Sequence, residues 1–466
     1  MWLALAATLA IVAQDRTPLR AAPRAQATEL TTLWQGEVLE VRDERAGYLK
    51  VYDYRRERGG YLKSELVRPI GLSEADAPAL LAVLRFLRDG AGSESLGISY
   101  GAAYLKAAPA AALTAEPFDA IARMAERLAD EASRSTVRHA DAMAHLEVME
   151  QFGIHMRSFE RNGRVQMCYD GELFRRVLSM PSASAEERAR AALGLTRPDC
   201  VDPSLGILSR ASLDAQRTAL LDTIEESRLS AMIRSRLRAR RAVVWAALAY
   251  EEARRGRSPV AAAQRALAEL LSVHPDDLGE ERRAEYLDAL LRVGAIRWAA
   301  VPPAPQSGPL ILTSGPGEPG QTCLSLSAAQ QPAAAILRRC TYGIVWMSSA
   351  QTIAHGQALV LAVQPLESWR ELWIFHDGTM GWTVDVIPPG ANDPDEGYVE
   401  FAGFAPGTRR LLIAREVREH GRFRRRFEEL RLEDLLPVKQ ASNPELLADF
   451  GRWQDVAWRR DTLTLY

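Results

Sequence analysis

Ser99 lies in Gly-Ile-Ser-Tyr-Gly, residues 97–101, which meets the G-x-S-x-G spacing of a nucleophile elbow. An elbow needs a strand before the serine and a helix after it, so that a sharp turn exposes the hydroxyl. The preceding "DGAGSESL" is loop-like and the surroundings are helical, so the motif reads as a helix start. No His-Asp pair can be matched to it from sequence. In "HADAMAHLEVME" the imidazoles of His139 and His145, with Glu147 and Glu150 nearby, offer metal-ligating groups. Two histidines share a helix face at i, i+4; six positions apart they are rotated by about 600° and diverge. "NDPDEG" places Asp393, Asp395 and Gly397 in the alternation of a calcium loop. The remaining ligands of such a loop, with its distal Glu, are missing, and a polar turn is expected. No catalytic residue, metal ligand or cofactor site is assigned.

Two arginine clusters could bind phosphate: "RSRLRARR" (234–241) and "RFRRRFEELR" (422–431). Glu225, Glu226, Glu251 and Glu252 flank the first, and Glu416 and Glu419 lie on the expected partner strand of the second. Both are expected to be neutralised faces. The chain carries 58 Lys+Arg against 60 Asp+Glu, a net charge of -2. No global field draws it to nucleic acid.

The remaining set is aromatic. "GYLKVYDYRRERGGYLKSELVR" (47–68) carries Tyr48, Tyr52, Tyr54 and Tyr61, with Trp34 upstream. Strand alternation puts Tyr48, Tyr52 and Tyr54 on one face and Leu49 and Val51 on the other, the apolar face being the expected core. Exposed rings give contact area at little entropic cost.

The elements that must hold these residues follow from composition and period. A chain of 466 residues, 47% hydrophobic and 25% charged, is a globular protein of about three domains. "MWLALAATLAIVA" (1–13) is apolar but too short for a bilayer of about 30 Å; it reads as a secretory signal peptide ending at Ala13. No later segment reaches membrane length. The four cysteines form two separated pairs, Cys168 with Cys200 and Cys323 with Cys340, and the economical pairing is two domain-local disulfides. No C-x-x-C or finger-spaced His supports zinc. Periplasmic or secreted localisation is therefore expected.

Residues 15–70 read as short strands with turns. Their pattern resembles a bacterial SH3 (SH3b) domain: Leu19, Arg20 and Pro23, then Leu33, Gly36, Val38 and Val41, then Gly47, Tyr48 and Val51, then Gly60, Tyr61 and Leu62. Both usual tryptophans are tyrosine here, and the loop "YRRERG" is longer and more charged than the family pattern. The resemblance implies a small SH3-like β-barrel and a cell-wall peptide or envelope protein as ligand, with Trp34, Tyr48, Tyr52 and Tyr61 as the contact residues and loop 55–58 as a tuning element. Residues 73–300 are helical in almost every window, an all-α bundle interrupted by a hairpin at 157–171 with an Asn-Gly turn. Within it, 243–277 resembles one degenerate tetratricopeptide-type hairpin. A Pro-rich joint (301–309) precedes an antiparallel β domain (310–466), a sandwich or a small or incomplete propeller. Hairpins are expected at Asp377-Gly378 and His420-Gly421, and "GYVEFAGFAPGTRRLLIARE" resembles a TolB-like propeller blade. The functional expectation is an exported binding or scaffold protein of the cell envelope. The alternative is a periplasmic hydrolase with Ser99 as nucleophile.

Overall fold

Part of the apolar run at the N-terminus takes a place in a sheet. In the computed structural model, which describes residues 8–134, 139–161, 163–302, 308–378, 381–390 and 396–463, its second half is strand β1, Thr8–Val12. Ala10, Ile11 and Val12 are wholly buried. Of the 1–13 run expected as a signal peptide, residues 8–12 are this strand, and residues 1–7 lie outside the described residues. A β-branched apolar run that alternates into two different cores is more stable as an inner strand than as an unpaired tail.

The chain divides into two compact units, one running to Ser204 and including Thr223–Leu229, the other comprising Leu205–Asp222 and Ser230 onward. The helical region thus belongs to two cores. In the first unit, β2 (Thr17–Arg20), β3 (Glu29–Leu33), β4 (Val38–Arg45), β5 (Tyr48–Asp53), β6 (Arg58–Lys63) and β7 (Val67–Ile70) join β1 in one sheet. Its order is β3-β2-β6-β5-β4-β1-β7. β3 and β7 are edges, so the expected barrel is an open sheet of seven strands, not a closed one. Leu19, Leu33, Leu39, Leu49, Val51, Leu62 and Val67 fill its inner core with Ala10 and Val12.

Helices α1 (Ala77–Leu87), α2 (Glu94–Ala107), α3 (Ala115–Arg134), α4 (His139–Glu150), α5 (Glu172–Ser179) and α6 (Ala185–Leu195) complete this unit, with the hairpin β8 (Met156–Arg161) and β9 (Arg164–Tyr169). Asn162 of the expected turn lies outside the described residues. Ser73 and Asp76 form a capping box just before α1, meeting the donors a helix start leaves open. Helices α1 and α2 cover the β1–β7 end of the sheet through Leu80, Tyr100 and Tyr104 against Ile11 and Ile70. Gly36, at φ +91, lets the chain pass α2 closely: a Cβ there would lie 2.7 Å from the Ser95 carbonyl oxygen. Cys168 on β9 is bonded to Cys200.

The second unit contains α7 (Ile207–Asp222), α8 (Ala231–Arg254), α9 (Val260–Leu271) and α10 (Gly279–Ile296). Its strands are β10 (Leu310–Pro316), β11 (Thr322–Ala328), β12 (Ala335–Thr341), β13 (Ile344–Ile353), β14 (Ala358–Leu366), β15 (Trp369–Gly378), β16 (Gly381–Ile387), β17 (Glu396–Ala405), β18 (Arg410–Glu419), β19 (Arg422–Arg431) and β20 (Pro437–Ala441). Strands β10–β12 form a three-stranded sheet stapled by Cys323–Cys340. The others form an eight-stranded sheet in which β15 pairs with both β16 and β17. One face of β14–β15 packs on the small sheet through Leu361, Trp373 and Phe375. Ala362 and Tyr398 face helices α8–α10 instead, as does Trp346. Short helices α11 (Ala448–Trp453) and α12 (Val456–Asp461) bury Phe450 and Trp458 against Phe427. The hairpin turning at His420-Gly421 forms, both residues having positive φ, the conformation a two-residue turn needs; Asp377 and Gly378, expected as a turn, instead end β15 opposite Trp382 and Gly381, and the residues that connect β15 to β16 lie outside the described residues. Among the described residues no helix is long and apolar enough to cross a membrane.

Candidate functional site

The two faces of β5 and β6 carry different chemistry. Leu49, Val51 and Leu62 point into the sheet core; Tyr48, Lys50, Tyr52, Tyr61 and Lys63 alternate onto the other side. Cross-strand pairs place Tyr48 opposite Lys63, Lys50 opposite Tyr61, and Tyr52 opposite Gly59. Tyr61 is thus a diagonal neighbour of both Tyr48 and Tyr52, within reach of ring-to-ring contact. On its other side Tyr61 faces Arg20 of β2. The register shifts between Val41 and Asp43, and Arg42, at that irregularity, reaches over the Tyr52 ring, 4.0 Å from its centroid. Tyr54 meets Tyr52 edge-on at 5.0 Å and donates its hydroxyl to Glu40, 3.1 Å away. The result is a partly exposed strip of rings among cations on the part of this face beyond the residues that α1 and α2 cover.

Trp34 is not part of that strip. It packs edge-on against His145 of α4, with centroids 5.8 Å apart, and borders the helical core. Loop 55–58 is also not free to tune a ligand. Arg56 bridges the buried carboxylates of Glu37 (2.7 Å) and Asp53 (2.8 Å); Arg55 donates to the Glu147 carbonyl at 3.1 Å, and Arg58 to that of Leu30 at 2.9 Å. A charged loop looks exposed in sequence; here it neutralises two carboxylates that the sheet buries.

The other candidates resolve as structure. Ser99 is wholly buried inside α2, its Oγ 2.6 Å from the Gly36 carbonyl and 2.9 Å from that of Ser95. No substrate reaches it. His145 pairs with Asp15 at 2.7 Å, while His139 contacts the Ala132 carbonyl at 3.2 Å. Burial opposes ionisation of Asp15, but the His145 hydrogen bond and charge hold it below the usual range. Among the described residues no group of three or more His, Cys, Asp or Glu could hold a metal; Asp393 and Asp395 lie outside them. The arginine clusters are paired in part. Arg236 pairs with Glu285 at 3.1 Å, a partner more distant in sequence than those expected. Arg425 faces Glu416 and Arg422 faces Glu419 across β18–β19, and Glu419 also takes Arg424 at 3.4 Å.

A cluster of perturbed carboxyls lies in the second unit, where sequence offered no signal. Asp288 of α10 and Glu396 of β17 share two arginines, Arg292 and Arg418. Burial pushes Glu396 up to about 7, opposed by Arg292; the Asp288 charge adds to the rise and Arg418 also opposes it. Arg292 reaches Asp288 (3.0 Å), Glu367 (3.4 Å) and Glu396, and Arg418 reaches Glu396 at 2.9 Å. Nearby, buried Glu400 takes Arg370 at 2.8 Å, Arg297, and the Trp458 Nε1–H at 2.9 Å. Two carboxyls sharing a proton could support acid–base chemistry. These instead tie α10 to the sheet, each within reach of an arginine, with Glu396 almost wholly buried.

No protein-family model, curated protein or solved structure matches this chain.

Proposed function

We propose that the protein is an exported binding or scaffold protein of the cell envelope, whose tyrosine-bearing sheet face takes a cell-wall peptide or an envelope protein. The observation that carries this reading is the contrast along one sheet face: apolar at the β1–β7 end, where α1 and α2 cover it, but ring- and cation-rich at β5–β6, where Lys50 and Lys63 are exposed. A face that only needed to be wet would not require three tyrosines at alternating positions. The resemblance to a bacterial SH3 domain points to the same face. Export rests on the two disulfides, which persist in oxidising compartments, and not on residues 8–12. No observation favours the hydrolase alternative, since Ser99 is sealed.

The test is titration of soluble muropeptides into the full chain, followed by calorimetry, with a Tyr48→Ala/Tyr52→Ala double variant beside it. Both rings are partly exposed, so the variant should keep its melting temperature and lose binding by about tenfold or more. Absence of binding to muropeptides and to an envelope extract would end this reading.

A further inference from the structure

Not all cations around the tyrosines are alike. Arg42 is held by Glu40 at 2.8 Å, Arg45 by Asp43 at 3.3 Å, and Lys63 by Glu65 at 3.1 Å. Two have no carboxylate contact among the described residues. Lys50 is exposed with no ion pair, and Arg20 donates only to the Ala27 carbonyl, at 2.9 Å. The acids opposite them in register make other contacts: Asp43, opposite Lys50, pairs with Arg45, and Glu29, opposite Arg20, accepts from the Thr32 hydroxyl at 2.8 Å and keeps its charge. These two cations occupy one cross-strand row, Arg20–Tyr61–Lys50. The fold therefore sets one cation outside any ion pair among the described residues on each side of a tyrosine that itself lies between Tyr48 and Tyr52.

We infer that this face selects an acidic extended peptide, with Arg20 and Lys50 as the specificity-determining residues and Tyr61 as the platform between them. The inference rests on the reading that the tyrosine face binds a ligand, and it names that ligand's chemistry. Neighbouring strands are about 4.8 Å apart, so the two cations stem from backbones roughly 9.5 Å apart. In an extended peptide, side chains two residues apart share one face at about 6.7 Å. Glutamate, lysine and arginine arms take up the difference. The peptide backbone between the two acids then lies over the Tyr61 ring, where a rigid aromatic gives contact at little entropic cost. Surface cations outside ion pairs, such as exposed Lys50 and half-buried Arg20, confer selectivity and a salt-sensitive association rate more than raw affinity.

The experiment uses the full chain and three fluorescein-labelled probes read by anisotropy: a Gly-Glu-Gly-Glu-Gly peptide, the same peptide with Gln for Glu, and a single-stranded oligonucleotide of similar length. The acidic peptide should bind about tenfold or more tighter than the Gln peptide and weaken as salt rises. Arg20→Gln/Lys50→Gln should erase that preference while the melting temperature stays put; Tyr61→Ala should weaken both peptides. Equal binding of the two peptides would overturn the charge selection and leave the binding face standing. Binding of neither peptide overturns the inference, and muropeptide binding in the separate titration then shows whether the face itself survives. An oligonucleotide that outcompetes the acidic peptide would also overturn it.

Discussion

Starting the chain at Gln14 removes β1, and the structure says what that costs. β1 is an inner strand: Leu9 to Val12 pair with β7, while Thr8 to Ile11 pair with β4. Its side chains alternate between two cores, Ala10 and Val12 entering the sheet interior and Ile11 the layer under α1 and α2. Full burial of a Val or Ile side chain contributes about 1.5–3 kcal/mol, so Ile11 and Val12 together contribute about 4 kcal/mol. Strand β7 loses its partner as well, at about 1 kcal/mol for each hydrogen bond left unmade. A total of roughly 6–10 kcal/mol is comparable to the whole stability of a domain, about 5–15 kcal/mol. The expected outcome is that a chain beginning at Gln14 lacks the folded N-terminal sheet: thermal unfolding shows a lost or strongly lowered transition, and limited proteolysis cuts within 15–70. The milder Ile11→Ala should cost about 2–5 kcal/mol. A truncated chain melting with the full chain's midpoint would refute the placement of β1 and restore the run as a dispensable leader.

Two further outcomes test the second unit. Gly294 of α10 sits against Tyr398, and a Cβ there would lie 2.2 Å from the ring. The ring cannot swing away, because its hydroxyl is fixed by Glu416 (2.9 Å) and the Leu463 carbonyl (2.7 Å). Gly294→Ala should therefore destabilise by about 1–3 kcal/mol or more from overpacking, despite the roughly 1 kcal/mol that alanine gains in a helix; a raised denaturation midpoint would contradict the packing. Glu396 binds its proton more tightly folded than unfolded, so the folded state holds more protons between pH 4.5 and about 7. Stability should then fall as pH rises through that window, by up to about 3 kcal/mol. Glu396→Gln should flatten the profile; a wild-type melting temperature level from pH 5 to 8 would show that Asp288, Glu367, Arg292 and Arg418 leave no such proton.

What sequence alone determined was local. The alternation that sends Leu49 and Val51 inward and Tyr48 and Tyr52 outward is a property of one strand and its pleat. The hairpin at His420-Gly421 follows from residues that tolerate positive φ. The disulfide partners follow from four cysteines in two regions. What only the tertiary structure decided was everything set by which distant elements meet. The apolar run 8–12 shows no strand partner in sequence, and its pairing between β4 and β7 is visible only in the fold. Trp34 shares its type with a binding residue but is claimed by α4, and loop 55–58 is claimed by carboxylates at 37, 53 and 147. Whether Lys50 and Arg20 are paired depends on strand order, since an ion pair is settled by a few ångströms across the sheet and not by spacing along the chain. The meeting of Asp288 and Glu396 at Arg292, more than a hundred positions apart in the chain, exists only because α10 packs on β17.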